Sequence, residues 1–464
     1  MKPALCKEIS RKINLNDEKD KMKTNDIYNV IIEDVTNMGC GVARVEGQAV
    51  FVSGAVDGDE GEIRITKAGQ NLNYGEILKL TKPSPYRVKN NCSAFPECGG
   101  CSFRHISYEH EKELKRRFIE SAMRKAGVKI DVCPVYSNNE TEGWRNKVVY
   151  PVSDGKIGCY AERSHDIIEA DRCLIQDREF DAIVDYIKAE LSDGTDFPNL
   201  RHLYLRRGVN TGEVMVCFVV SKNDKKYVNI SSQIIDIFPN IKSVMANINP
   251  ADTNVILGGK TELLAGKPVI RDILCGVKFD ISAESFYQVN TKLTEQLYRR
   301  ATELLDLKPG EKLLDLYCGI GTIGLSCAKF CPRIDLTGIE IVKKAVENAK
   351  NNAALNAIKA NFICADAADK RIIEAELTSA DAVVVDPPRK GLGAELCKTL
   401  SRIGPKRIVY ISCNPQTLAR DLKALEGAYR FTEAEPFDMF PRTGHVETVC
   451  LLSRLNNKQH IDFQ

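Results

Sequence analysis

LLDLYCGIGTIGLS, residues 313–326, decides how the second half of the chain folds. A short apolar run stops at Gly319, Gly321 and Gly324, and helical spacing follows. G-x-G-x-x-G between a strand and a helix is the pattern of a loop on which a nucleoside cofactor rests. Further along, RIDLTGIE, NFICADA, DAVVVDPP and RIVYISC alternate with helical stretches such as VKKAVENAKNNAALN. That rhythm predicts a parallel, doubly wound α/β domain of Rossmann type over 286–457. Such sheets bind ligands beyond the carboxyl ends of their strands. The residues with useful chemistry fall at those ends.

The glycine loop alone suits either NAD or S-adenosylmethionine. Glu340 ends the next strand, where a carboxylate can accept from ribose hydroxyls in both. Asp315 separates the two. A carboxylate that close to a pyrophosphate is repulsive, whereas beside the cationic amine of a methionyl tail it is favourable. The acid, glycine loop, acid order therefore favours S-adenosylmethionine. Asp366, after the third strand, is placed for the adenine amino group. Any one of these acids could instead cap a helix.

Upstream, short runs separated by Gly, Asn and Asp turns predict a compact β-barrel of the oligonucleotide-binding type at 26–84. Residues 1–25 read as a flexible basic tail. A central α+β domain with a mainly antiparallel sheet is expected at 85–285. Within it, 108–127 has the spacing of a helix ended by Gly127, with Leu114, Phe118, Ala122 and Met123 inward and Lys112, Lys115, Arg116 and Arg117 outward. This helix is a candidate to pack on the catalytic domain. The 464 residues exceed one ordinary core. Net charge is only +2, so a nucleic-acid partner would have to use local basic patches. The 17 cysteines, without a secretory leader, point to free thiols in a reducing cytoplasm. No apolar run is long enough to span a membrane. No obligate protein partner is evident.

ISCNP at 411–415 puts Cys413 where a buried strand opens into a loop. Methyl transfer to nitrogen or oxygen needs only positioning. A thiol implies an acceptor without a lone pair, such as C5 of uracil. Thiolate addition at C6 makes C5 nucleophilic, and a base must later remove the C5 proton. GHVETVCLLS supplies Glu447, with His445 as the second candidate. The DPPR turn at 386–389 can hold Asp386 rigidly beside the reacting base.

VVVDPPRKG, ISCNP and GHVETV, in this order behind LLDLYCGIGTIG, resemble the bacterial RNA uracil-5-methyltransferases. SAESFYQVN at 282–290 extends the resemblance, which covers roughly 25–457. It implies Cys413 as nucleophile, Glu447 as base, and Gln288, Tyr317, Glu340, Asp366 and Asp386 around the cofactor. Thr322 stands where the family often has asparagine. The unit at 26–84 is similar to the TRAM domain of many members.

CSAFPECGGC supplies Cys92, Cys98 and Cys101, with Cys173 the expected fourth. Four thiolates suit zinc or an iron–sulfur cluster, and spacing alone does not choose. The resemblance favours [4Fe–4S] over zinc and 23S ribosomal RNA over transfer RNA, because the ribosomal-RNA members carry this pattern. A cluster here is expected to fix the 85–107 loop, since the reaction is redox-neutral. Arg206 and Arg207 are candidate RNA contacts. Three rivals remain: a radical S-adenosylmethionine enzyme, whose triad is usually C-x3-C-x2-C; a nicotinamide oxidoreductase, which leaves ISCNP idle; and a non-enzymatic RNA-binding protein, which has no use for Asp315, Glu340 and Cys413 together.

Overall fold

The computed structural model describes residues 22–455 except 71, 163 and 193–196. The chain divides into two compact units, 1–87 and 88–464.

The first unit is a six-stranded curled sheet. Its strands run in the order Ile27–Ile31, Glu60–Lys67, Asn73–Lys82, Gln48–Ser53, Cys40–Val45, Asp34–Val35. Alternating Val50, Val52, Ile63 and Ile65 point into a shared core with Val30, Ile32, Ala43 and Val45. Six strands replace the five short runs of the sequence because IYNVIIEDV breaks in two. Gly61 sits at a bulge where a Cβ would lie 2.2 Å from the Lys79 carbonyl, so only glycine fits. Residues 1–21 of the expected tail lie outside the described residues. From Met22 onward the chain belongs to the β unit: Met22 is buried in its core, and the Asn25 N–H donates to the Ile65 carbonyl at 2.8 Å.

Among the described residues the second unit holds two large sheets and two two-stranded ones. The smaller of the large pair has the order Lys260–Gly266, Ile241–Ile248, Val214–Val220, Leu200–Arg207, Lys147–Ser153, Lys156–Ile157. It is antiparallel except where Val214–Val220 pairs parallel with Ile241–Ile248. The VKFDIS run does not join it. Val277–Ile281 forms a separate hairpin with Ile270–Leu274. Helices Glu179–Ser192 and Lys226–Ile237 cover one face through Phe180, Ile183, Tyr227 and Ile234. Tyr204, Met215, Cys217 and Val219 on the other face share a core with residues of the larger sheet.

The larger sheet runs Ala360–Cys364, Asp335–Glu340, Lys312–Leu316, Ala382–Val385, Arg407–Ser412, Glu447–Arg454, Glu433–Phe437, Asp131–Val132. The first five strands are parallel. Glu447–Arg454 then enters antiparallel beside Arg407–Ser412. The two-residue strand Asp131–Val132 reaches this sheet from far upstream in the chain.

The helix Tyr108–Ala126 ends at Gly127, whose φ of 67° is the left-handed cap that glycine provides. It packs on the helix Pro415–Leu425. Ile119, Ala122 and Met123 join the core of the larger sheet, at about 1.5–3 kcal/mol for each large side chain fully buried. Its charges are not all solvated, contrary to the sequence pattern. Lys115 is fully buried, with Nζ 2.8 Å from Glu111 Oε1 and 2.6 Å from Asp438 Oδ1. Among the described residues no helix is long and apolar enough to cross a membrane.

Candidate active site

Sheet register brings the thiol and the proposed base together. Ser412 pairs with Thr448 across the antiparallel strands. One step outward, Cys413 leaves its strand level with Glu447, the first residue of the neighbouring strand. Glu447 is 4% exposed, and its Oε2 has no hydrogen-bond partner. Burial, then the charge of Asp386, hold Glu447 well above the carboxylate range, while Arg389 opposes them. Cys413 is half-buried. Burial, then Glu447 and Asp386, push its thiol up to about 11, again against Arg389.

The loops after two parallel strands are tied together around this pair. The Arg389 carbonyl accepts from Asn414 Nδ2 at 3.0 Å and from Thr417 Oγ1 at 3.2 Å. The Asn414 side chain also caps the helix Pro415–Leu425 by accepting from the Gln416 N–H. The Arg389 guanidinium lies 3.2 Å from His445 Nε2. Desolvation, then Arg389, Lys115 and Arg145, hold His445 below its ordinary value, so it is neutral at pH 7.

Acids gather at the glycine loop, and among the described residues no cation pairs with Asp315. Asp315 is fully buried; its Oδ2 accepts from the Gly324 N–H at 2.9 Å, and its Oδ1 has no partner. The helix-cap alternative thus accounts for one oxygen only. Burial pushes Asp315 up to about 8, with Asp386 and Glu340 adding to it. Burial also pushes Asp386 up to about 7. Glu340 accepts from the Gly319 and Val342 N–H groups at 3.1 and 2.9 Å. Gly319 and Gly321 have φ of 56° and 84°, and Tyr317 between strand and loop is held at 65°. A Cβ on Gly324 would meet Asp315 Oδ2 and Leu336 Cδ1, each at 2.8 Å. Such a pocket fits a cationic ligand, and the sulfonium and ammonium of S-adenosylmethionine supply that charge. Asp366 accepts from the Ala368 N–H at 2.9 Å, a local turn. Gln288 is buried, and its carbonyl accepts from Asn146 Nδ2 at 3.0 Å.

Cys92, Cys98, Cys101 and Cys173 lie near one another, since Cys173 feels the charge of Cys98 and Cys92, and Cys101 that of Cys173 and Cys98. Among the described residues, no group of three or more His, Cys, Asp or Glu is placed to hold a metal ion. A fifth thiol, Cys159, hydrogen-bonds Cys98 and pulls it down to about 6. Buried Arg104 lies beside and hydrogen-bonds Cys101, while its Nη1 donates to Asn91 Oδ1 at 2.9 Å and stands 3.9 Å from Glu142 Oε1. That positive charge suits an anionic thiolate set. The segment reaches the turn before the active-site strand through the backbone: the N–H groups of Ser102 and Phe103 donate to the Arg442 carbonyl at 2.9 and 3.1 Å.

Two expected RNA contacts are corrected. Arg206 is 1% exposed and donates to the Ser282 and Ser285 carbonyls. Arg207 pairs with Asp177 at 2.7 Å. The β-strand pattern LYLRRG gave no sign that both side chains were committed inside the fold. Sequence reasoning also missed Arg389, although it ends the DPPR turn beside Asp386. It missed Tyr298 too, a buried phenol 3.0 Å from Thr322 Oγ1 that feels the charges of Asp386 and Asp315. Helical spacing makes Tyr298 look like any core aromatic.

A family model described as tRNA (uracil-5-)-methyltransferase matches residues 275–455, and one described as TRAM domain matches 21–78. An uncharacterized RNA methyltransferase of Bacillus cereus is 40% identical over 456 residues, spanning 94% of this chain and 98% of the relative. One of Halalkalibacterium halodurans is 39% identical, spanning 93% and 98%. Among solved structures, the Pyrococcus abyssi tRNA (uracil-54, C5)-methyltransferase in complex with S-adenosyl-L-homocysteine matches with a TM-score of 0.74. It is 30% identical and covers 91% of this chain and 99% of that one. The chain belongs to the S-adenosylmethionine-dependent RNA (uracil-5-)-methyltransferases, here with an N-terminal TRAM domain.

Proposed function

We propose that this enzyme methylates C5 of a uridine in RNA through a transient bond between Cys413 and C6. The observation that carries this reading is the buried, unpartnered Glu447 Oε2 level with the Cys413 thiol. S-adenosylmethionine, when bound, supplies an electrophilic methyl group. A cation in the acid-lined pocket and the Arg389 guanidinium both favour the thiolate. The Cys413 thiol gives up its proton to solvent, its sulfur bonds to C6, and the ring electrons move to C5, which would take the methyl group with S-adenosylhomocysteine as the leaving group. Glu447, whose raised proton affinity suits it to this role once it stands ionised, then accepts the C5 proton, the C5–C6 double bond re-forms and the sulfur leaves. Base catalysis of such a step contributes about 10²–10⁴-fold. Asp315, Tyr317, Gly319, Gly321, Glu340, Asp366, Asp386 and Gln288 hold the cofactor. The uridine leaves its stack to reach the thiol, at a few kcal/mol.

RNA containing 5-fluorouridine tests this directly, because fluorine at C5 cannot leave as a proton. A methylated protein–RNA adduct should survive denaturing electrophoresis and vanish with Cys413→Ala. On ordinary RNA, Glu447→Gln should accumulate the same adduct. Normal turnover by Glu447→Gln would remove it as the base.

The target is proposed to be 23S ribosomal RNA, on the cysteine pattern. The similar Pyrococcus abyssi protein carries transfer RNA in its name. Mapping 5-methyluridine in both RNA pools from a strain lacking the protein decides between them. A [4Fe–4S] cluster at Cys92, Cys98, Cys101 and Cys173, rather than zinc, completes the reading. Its support is the nearness of the thiols and the buried charge of Arg104, and its role is to fix the 85–107 loop. Iron and acid-labile sulfide are expected after anaerobic purification, and stoichiometric zinc alone would remove the cluster.

A further inference from the structure

The central sheet contains a charge arrangement that the proposed reaction does not use. Lys147 and Arg206 stand directly opposite each other on antiparallel strands. Like charges in that relation destabilise a sheet. They share the face of Tyr204, toward the core that joins the two sheets. Arg206 is 1% exposed; its Nη1 donates to the Ser282 and Ser285 carbonyls at 3.2 and 2.7 Å, and its Nε has no acceptor. Arg145 adds a third charge on the same strand end, with Nε donating to the Lys147 carbonyl at 3.0 Å. Burial, then Arg206 and Arg145, push Lys147 down to about 8.

Among the described residues none of the three has a carboxylate within ion-pair distance, although the adjacent Arg207 has found Asp177. Arg145 faces Cys101, Cys159 and Cys173, but the opposed Lys147 and Arg206 have no counter-charge among the described residues, which is costly to fold. Their place in the fold suggests what balances them. Asn146, between Arg145 and Lys147, donates from Nδ2 to the Gln288 carbonyl and to Thr291 Oγ1 at 3.0 and 2.9 Å. Arg145 is also one of the cations that lower His445. The charges therefore sit between the SAESFYQVN segment and the rim that carries His445.

We propose that Lys147, backed by Arg206 and Arg145, seats a backbone phosphate of the RNA next to the uridine that enters the active site. This rests on the RNA-methylation reading. A phosphodiester keeps its single negative charge at every working pH and carries no cation of its own. The cofactor carboxylate, in contrast, travels with an ammonium. Phosphate contacts of this kind set register without reading sequence, which suits a site that must present one nucleotide to Cys413.

The test uses the full chain with S-adenosylhomocysteine present and a single-stranded oligouridylate of about ten nucleotides. Anisotropy gives the RNA affinity between about 50 and 200 mM salt. Lys147→Gln should weaken binding and flatten the salt dependence of log K by about 0.7, one phosphate on a single strand. Lys147→Arg should restore both. S-adenosylhomocysteine affinity without RNA should be unchanged in either variant. Lys147→Gln should also melt no lower than the parent, since it removes the repulsion with Arg206. An unchanged salt slope, a loss confined to S-adenosylhomocysteine binding, or a lower melting temperature would each overturn the proposal. A parent protein that transfers no methyl group to bulk RNA would instead remove the reading beneath it, and that outcome is visible separately.

Discussion

Affinity for S-adenosylmethionine is expected to rise steeply with pH across the neutral range. Burial pushes Asp315 up to about 8 and Asp386 up to about 7. At pH 7 the first is then about nine-tenths protonated and the second about half. A sulfonium and an ammonium among these acids favour the ionised forms. Binding must therefore expel protons, about 1.4 of them at pH 7 if both carboxyls ionise fully. The sign follows from the raised values: affinity is full above them and lost as pH falls through them. Between about pH 6 and 7 the association constant should climb by at least about tenfold. Calorimetry in two buffers of different ionisation enthalpy measures both affinity and proton release. S-adenosylhomocysteine lacks the sulfonium charge and should give a shallower slope. Asp315→Asn should leave about half a proton to release at pH 7. A flat affinity profile over this range, with no proton release, would refute the acid-pocket reasoning.

Two substitutions probe the packing that holds the site. Gly324→Ala places a Cβ 2.8 Å from both Asp315 Oδ2 and Leu336 Cδ1. It should cost about 1–3 kcal/mol and abolish the stabilisation that S-adenosylhomocysteine gives in thermal melts; a variant that melts and responds like the parent contradicts this. Lys115→Met leaves Glu111 and Asp438 buried without their shared cation and should cost about 3–5 kcal/mol in denaturant titrations. The control is Lys112, 17% exposed and paired with Glu109, which is 82% exposed; Lys112→Met should cost at most about 1 kcal/mol, and equal losses would sink the distinction.

The doubly wound sheet was legible because each parallel strand is a largely apolar run, and the site acids stand in or just past the last residues of those runs. Cys413 and Glu447 were legible as chemistry, yet their adjacency depends on an antiparallel register that neither segment encodes alone. The burial of Lys115 was hidden because its partner Asp438 lies 323 residues away, and a charged helix face looks solvated until that partner is known. Asp131–Val132 is too short to show any periodicity, so its place in the larger sheet depends on pairing with Glu433–Phe437. Arg206 and Arg207 are consecutive on one strand and so point to opposite faces. That alternation was available in LYLRRG, but what each face meets was not.

The same contacts give the cysteine segment a structural route to the chemistry. Arg442 receives the Ser102 and Phe103 N–H groups on its carbonyl, and its own N–H donates to Glu111 Oε1 at 2.7 Å. Glu111 is bound to Lys115, Lys115 to Asp438, and Asp438 Oδ2 accepts from the Tyr108 hydroxyl at 2.8 Å. Asp438 and Arg442 lie on the turn that leads into His445 and Glu447. Every link is fully or largely buried, where an unpaired charge is costly, so the turn has little freedom to shift while the helix stays docked. On the proposed mechanism a redox-neutral methyl transfer would gain from an ordered cysteine loop without any electron passing: the loop and helix fix the turn, and the turn carries Glu447 toward Cys413.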